Sequence, residues 1–337
     1  MDVNEKLDLI KRNTTEILGL NELQDSLKKN KKLSSYYGIA PTGPVHIAYF
    51  VPLTKLFDFE KAGIKNTILI ADIHAALDDL KTPWDRIKLL GDYYEKCIEL
   101  SFPWDKKPKF VRGSSFELTS KYMNDVLKLS TVTTISRATR AASEVTRMKD
   151  PKVSELIYPI MQALDEQYLN VDIQLGGIDQ RHIFAFARDY LPKIGYKPRI
   201  EIMTPLIVSL KGPGVKMSAS VKETHIKVYD TEKQIKDKIN NAYCLIGDVN
   251  NNPVTQLIKH IVFPIKSKLT IERESKFGGD ITFDSYEKFE TEYKSSKLHP
   301  QDVKNALSNN LISIFSKVRN YFEKNKDILK KLGENFI

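Results

Sequence analysis

The chain has 337 residues, 41% hydrophobic and 28% charged, with 52 Lys and Arg against 43 Asp and Glu, a formal net charge of +9. This is the composition of an ordinary globular protein with a sizeable core. With no eighteen-residue apolar run, no membrane span is expected, and the N-terminus MDVNEKLDLIKRN, whose acids argue against a transit peptide, has no signal pattern, so a cytoplasmic location is expected. Cys97 and Cys244 are too few for a disulfide framework or a zinc site, no metal ligands are assigned, and the positive excess suits either a nucleic-acid partner or a lysine-rich surface.

In chain order, residues 14–28 read as a helix. SSYYGIA (34–40) reads as a strand, a glycine turn follows, and a helix is expected from about Val45 to Phe59. NTILIAD (66–72) is a second buried-type strand. Helices are expected near 83–101 and 118–130, with a short strand in KPKFVRG (107–113) between them. VSELIYPIMQALDEQYLNVD (153–172) has a helical pattern in which Pro159 marks a kink or a late start. A strand in VDIQLGG (171–177), a helix in IDQRHIFAFARDYL and a strand in PRIEIMTPLIVSL (198–210) follow. Strands alternating with helices predict an α/β fold with a doubly wound parallel sheet. After about residue 222 the pattern is helical only. We therefore expect domains at 1–222, with a helical insertion near 113–150, and at 223–337, the second smaller and all-helical.

Ligands of an open parallel sheet sit beyond the carboxyl ends of its strands. Three such positions carry chemistry: Pro41-Thr42-Gly43, Asp72-Ile73-His74-Ala75 and Gly176 to Arg181. In PTGPVHIAYF, Gly43 allows a tight turn, Pro44 suits a first helical turn, and His46 can donate to a phosphate near free amides. Ala48 is small enough for a flat base to lie against the backbone. In KGPGVKMSAS (211–220), glycines accompany Lys216, Ser218 and Ser220, a composition that can close on phosphates. Each motif alone is also compatible with an ordinary cap or surface loop. Tyr158, Gln162 and Asp165 fall at i, i+4 and i+7, one helix face beside apolar neighbours. Asp165 can accept a hydrogen bond from a phenol, with Tyr36 completing the contact.

Together, HIAY (46–49) and KMSAS (216–220) resemble the HIGH and KMSKS signatures of class I aminoacyl-tRNA synthetases. YYGIAPTGPVHIAYF, ADIHAALDD and YPIMQALDEQYLNVDIQLGGIDQRHIFAFARDYLP resemble tyrosyl-tRNA synthetase of the archaeal and eukaryotic type. KFGGD (276–280) and KLHPQDVKNAL (297–307) resemble its anticodon-binding domain. The resemblance covers about residues 30–320. It implies a Rossmann-like catalytic domain, a homodimer with an interface near 113–150, and two-step ligation of L-tyrosine to tRNA(Tyr) through tyrosyl-adenylate. ATP would enter with a magnesium ion (Mg2+).

By the same resemblance, Tyr36 and Asp165 read the substrate hydroxyl, and Tyr158, Gln162 and Gln180 hold its ammonium. His46, Gly43 and Ala48 bind ATP, and Asp179 takes the ribose. Lys216, Ser218 and Ser220 close over the pyrophosphate. Phe277 and His299 sandwich an anticodon base whose edge Asp302 bonds, and Arg181 approaches the first acceptor pair. The sequence departs from the signatures at Ala48, at Tyr49 and in the missing second lysine of KMSAS. Three alternatives stay open: a tryptophanyl-tRNA synthetase, a catalytically inactive synthetase-like RNA-binding protein, and another nucleotidyltransferase on the same fold.

Overall fold

The structure, a computed structural model, describes residues 1–78, 80–144, 152–214, 217 and 224–337. Eight strands are present among them: β1 (Glu16–Leu18), β2 (Ser34–Ile39), β3 (Lys65–Ile70), β4 (Lys109–Arg112), β5 (Ile173–Gly177), β6 (Ile200–Thr204), β7 (Leu269–Ile271) and β8 (Ile281–Phe283). Contacts divide the chain into two compact units. One holds Met1–Thr42, Lys55–Glu95 and Lys106–Leu206. The other holds Gly43–Thr54, Lys96–Asp105 and Ile207–Ile337.

The first unit is built on a six-stranded sheet of order β1-β6-β5-β2-β3-β4. β2 is the pivot. From it the chain steps out through β3 to β4, then returns to β2's other side and steps out again through β5 to β6, all in parallel register. This reversal puts a switch point between the carboxyl ends of β2 and β5, where doubly wound sheets bind ligands. β2, β5 and β6 have few exposed positions because helices cover both faces, which is why they read as apolar runs.

The sheet is not wholly parallel. β1 adds antiparallel to β6, within the span expected to be a helix at 14–28. Gly19 explains the misreading: its φ of +87° separates this edge strand from the helix Leu20–Lys28, and a left-handed residue cannot sit inside one continuous helix. The helix Val153–Tyr168 starts early and runs through Pro159. Its buried face packs with Ile73, Tyr122, Val126, Ile183 and Phe186 into one core cluster. Two further helices, Ser120–Thr131 and Ile135–Ala142, lie within the stretch 113–150.

In the second unit, the expected helix from Val45 begins later. Residues Ile47–Tyr49 form a 3-10 turn and the helix proper is Phe50–Lys61, whose last residues belong to the first unit. The segment beyond 222 is not all-helical. β7 and β8 pair antiparallel, with Leu269, Ile271 and Phe283 buried. Each strand has only three residues, too short for an alternation to stand out. The rest is helical, chiefly Glu232–Asn240, Tyr286–Lys294, Pro300–Ile314 and Ser316–Lys324.

Candidate active site

The first unit brings the expected phenol-reading residues together. Tyr36 on β2 is 1% exposed and packs with Leu69, Ala71 and Val171. Asp165, also 1% exposed, and Tyr158 are buried on the helix Val153–Tyr168, with Gln162 half-buried on the same face. Gln162 Nε2 donates to Gln180 Oε1 at 3.0 Å, joining that helix to the turn after β5. The switch-point end of the sheet thus carries Tyr158, Gln162, Gln180 and Asp179.

The two glycines of β5 make this turn possible. A Cβ on Gly176 would lie 2.6 Å from the Phe184 ring, and one on Gly177 would lie 2.4 Å from Asp179 Oδ1. Neither could be accommodated without moving the group beside it. Gly177 therefore leaves the space into which the Asp179 carboxylate folds.

Three buried residues that the sequence reading left without roles surround Asp165: Tyr122, His74 and Glu117. The Tyr122 hydroxyl lies 2.7 Å from both Asp165 Oδ1 and the Met161 carbonyl, so its one proton faces two acceptors. His74 stands between two acids, its Nδ1 3.5 Å from Glu117 Oε1 and its Nε2 3.7 Å from Asp165 Oδ2. Its ring meets that of Tyr158 edge-on at 4.7 Å. Gly113 gives Glu117 its room, since a Cβ there would meet Oε1 at 2.3 Å. The signal was positional: His74 follows β3 and Glu117 follows β4, at the ends of parallel strands.

Charge around Asp165 is set by burial and by neighbours. Burial favours neutral His74, but Glu117, Asp165 and Asp72 outweigh it and raise the imidazolium to about 9. Burial, then Glu117, pushes the Asp165 carboxyl well above its ordinary value, against the lowering pull of His74 and Tyr122. Burial, with the surrounding acids, also raises the Tyr36, Tyr122 and Tyr158 phenols, so all three stay neutral. His74, Glu117 and Asp165 offer ligand atoms within 4.8 Å of one another, the spacing of a small cation site. The imidazolium itself supplies the positive charge there.

In the second unit, His46 caps the 3-10 turn Ile47–Tyr49, its Nδ1 accepting from Ala48 N at 3.4 Å. An accepting Nδ1 leaves the proton on Nε2, which is then a donor. Burial, then His225, depresses the ring's pKa to about 3, so His46 is neutral. It packs beside Tyr49 and His225 at 4.6 and 4.9 Å. Pro44 precedes the turn and is not in a helix, so it misses the first-turn role read for it. Gly43 stands at a bend of the chain without a left-handed φ. Lys216, Ser218 and Ser220 lie outside the described residues. The flanks of their segment are fixed: Leu210 N donates to Thr224 O at 3.2 Å, Ile47 N to Ile226 O at 2.9 Å, and Val228 N to Val45 O at 3.2 Å. The residues that follow the second motif thus pair with the chain on either side of His46.

Phe277 is 61% exposed, with the Lys276 ammonium 4.9 Å from its ring centroid. His299 caps the helix Pro300–Ile314, its Nδ1 accepting from Gln301 N at 3.2 Å. Asp302 lines a cleft with Lys268, Thr270, Glu272 and Asn305. Arg181 is held by Glu16 in a bidentate pair, at 2.7 and 3.0 Å.

Two features agree with the class I synthetase resemblance: in the first unit, a doubly wound sheet beside which Asp165 and Tyr122 are hydrogen-bonded and buried, and in the second, a histidine that caps the turn of the HIAY segment. The family model for class I tRNA synthetases (W and Y) matches residues 28–316, and the chain belongs to that family. It is 43% identical over 334 residues to the cytoplasmic tyrosine–tRNA ligase of Gallus gallus, covering 97% of this chain and 62% of that protein. The chain thus spans under two thirds of the vertebrate relatives it matches. It is 42% identical to the tyrosine–tRNA ligase of Methanosarcina barkeri, covering 94% of this chain and 98% of that one. The tyrosyl-tRNA synthetase of Archaeoglobus fulgidus, solved in complex with L-tyrosine, superposes with a TM-score of 0.90 at 39% identity, covering 95% and 99% of the two chains.

Proposed function

We propose that this chain ligates L-tyrosine to tRNA(Tyr) in two steps, at the expense of ATP. The observation that carries the reading is the buried polar group of Tyr36, Asp165 and Tyr122, with His74 and Glu117 beside it. Such groups, once desolvated, discriminate strongly against a ligand that leaves them unpaired. For phenylalanine against tyrosine in a tyrosyl enzyme the general figure is about 10⁵-fold. An indole offers a single N–H and no acceptor, so the same buried group disfavours tryptophan.

In the first step the tyrosine carboxylate attacks the α-phosphorus of ATP, forming tyrosyl-adenylate and releasing pyrophosphate. In the second, a terminal ribose hydroxyl of tRNA attacks the activated carbonyl and releases AMP. No side-chain nucleophile is required; positioning and charge placement supply the catalysis. Tyr36 and Asp165 read the hydroxyl, while Tyr158, Gln162 and Gln180 hold the ammonium. His46 Nε2–H donates to a phosphate oxygen, the backbone at Gly43 and Ala48 lies along the nucleotide, and Asp179 takes the ribose. Lys216 carries charge to the pyrophosphate, with Ser218 and Ser220 beside it. ATP enters as its magnesium complex, the metal carried by the substrate.

We assign the segment after 222 to anticodon recognition. The exposed Phe277 with its neighbouring cation supports stacking, and His299 and Asp302 supply the second face and an edge acceptor. Arg181 contacts the acceptor stem once freed from Glu16. The exposed apolar side chains Leu118, Met123, Leu127 and Ile135 support a homodimer formed through the insertion. No helix among the described residues is long and apolar enough to cross a membrane, which agrees with the cytoplasmic location that we propose.

The test is amino-acid-dependent ATP–pyrophosphate exchange, followed by charging of archaeal, eukaryotic and bacterial tRNA(Tyr). Exchange with tyrosine alone is expected. Exchange with tryptophan instead would make this a tryptophanyl enzyme, and no exchange with either would make it an inactive RNA-binding relative.

A further inference from the structure

Lys227 has no role in the two-step reaction as read above, yet it is only 5% exposed and stands opposite His46 in an antiparallel bridge. Both residues belong to the second unit. The residues on either side carry the pairing: Ile47 N donates to Ile226 O at 2.9 Å, and Val228 N to Val45 O at 3.2 Å. The backbone of Lys227 is itself pinned. Its N–H donates to Asp230 Oδ2 at 2.9 Å, and its carbonyl accepts from Asp230 N at 3.1 Å. Asp230 is buried and is held in turn by the Lys238 ammonium, from the helix Glu232–Asn240.

The side chain of Lys227 leaves this clasp for another part of the same unit. Its ammonium donates to Ile337 O at 2.8 Å and to Asn335 O at 3.2 Å. These carbonyls belong to the 3-10 turn Glu334–Phe336 and the residue after it. The end of a helical turn leaves carbonyls without partners inside it, and a lysine is a suitable donor to them. The turn is anchored as well: Phe336 is buried, and Phe336 N donates to Gly333 O at 3.0 Å. A second tie runs alongside. The Tyr229 ring lies 5.1 Å from that of Phe322, on the helix Ser316–Lys324, and 5.8 Å from the Lys227 ammonium. Residues 335–337 lie beyond the stretch that carries the sequence resemblance, so no motif pointed to this contact.

An ammonium withdrawn from water is costly unless its acceptors are held in place. Lys227 therefore joins two things: the turn that supplies the carbonyls, and the backbone opposite His46. Losing either end of the contact leaves buried polar groups unpaired and frees the clasp to shift.

We propose that Lys227 and the turn Glu334–Phe336 form a brace for His46, which holds the ATP-binding arm Gly43–Tyr49 in register and so sets how efficiently ATP is used. Lys227 is a positioning residue: it reaches the nucleotide only through His46 and the backbone of residues 45–47. The inference rests on the reading of this arm as the ATP site given above. Tyr36 and Asp165, which read the amino acid's hydroxyl, belong to the first unit and take no part in the hydrogen bonds of the brace. The brace therefore directs its effect at ATP and spares tyrosine.

The experiment uses the full chain carrying Lys227→Met, Phe336→Ala, or both. Methionine keeps an unbranched stem and removes the ammonium, while alanine removes the anchor of the turn. Three quantities are measured: kcat/KM for ATP in tyrosine-dependent ATP–pyrophosphate exchange, tyrosine affinity by calorimetry without ATP, and the deuterium uptake of the Ile47 and Val228 amides. Each single variant should lower kcat/KM for ATP about tenfold, leave tyrosine affinity within about twofold, and speed deuterium uptake at both amides. Because the two residues serve one contact, the double variant should lose little more than Lys227→Met alone. An unchanged kcat/KM for ATP, a parallel loss of tyrosine affinity, or losses that multiply in the double variant overturns the proposal. Should Lys227→Met not fold, Phe336→Ala decides by itself. A loss confined to ATP with faster uptake at Ile47 and Val228 supports the brace, and wild-type uptake at those amides refutes it. A wild type that shows no tyrosine-dependent pyrophosphate exchange refutes the function itself, and the amide rates of the variants then judge the brace separately.

Discussion

Replacing His74 by glutamine tests the electrostatics around Asp165 through stability. The imidazolium lies 3.5 Å from one buried carboxylate oxygen and 3.7 Å from another, and its pKa rises from 6.5 to about 9 on folding. At about 1.4 kcal/mol per pH unit, that rise is worth about 3 kcal/mol to the protonated fold. The folded value lies above the unfolded one, so the contribution is complete below pH 6.5 and disappears as pH climbs through about 9. Glutamine keeps the size and polarity without the titration. Unfolding free energies from denaturant titrations should be compared at about pH 6 and about pH 9.5 for both proteins. The wild type should lose about 3 kcal/mol more than the variant across that interval. Parallel losses would show that His74 is neutral in the fold, and the account of Glu117 as a paired carboxylate would fail with it.

Three further outcomes are expected. Lys216→Ala should slow pyrophosphate release in the first turnover far more than it weakens tyrosine binding, and stopped-flow kinetics would expose an unchanged rate. Gly177→Ala should raise KM for ATP by about tenfold or more, because its methyl displaces the Asp179 carboxylate. Tyrosine affinity measured by calorimetry without ATP should change little. Phe277→Ala should raise KM for tRNA in the charging assay by about tenfold, the loss of one stacking platform, while pyrophosphate exchange stays at the wild-type rate.

Much of the fold was legible because its strands and helices are long and their patterns differ. β2, β3 and β5 appear within a residue or two of where their apolar runs place them. The failures have local causes. Gly19 interrupts what looks like one amphipathic stretch. β7 and β8 are too brief to show a period. The delayed start at Phe50 arises because residues 45–47 are taken up in pairing with 226–228, a long-range contact that no window around His46 contains. The pocket shows the same limit. Tyr158, Gln162 and Asp165 were visible together because helical spacing joins them. Tyr122, His74 and Glu117 reach the same place from three other parts of the chain, and only the tertiary packing brings them there.

The clasp formed by Leu210 with Thr224, and by Val45 and Ile47 with residues 226–228, makes the chain on both sides of His46 depend on residues about 180 positions away. A substitution that loosens 224–228 would therefore be felt at His46 although it lies nowhere near it in sequence.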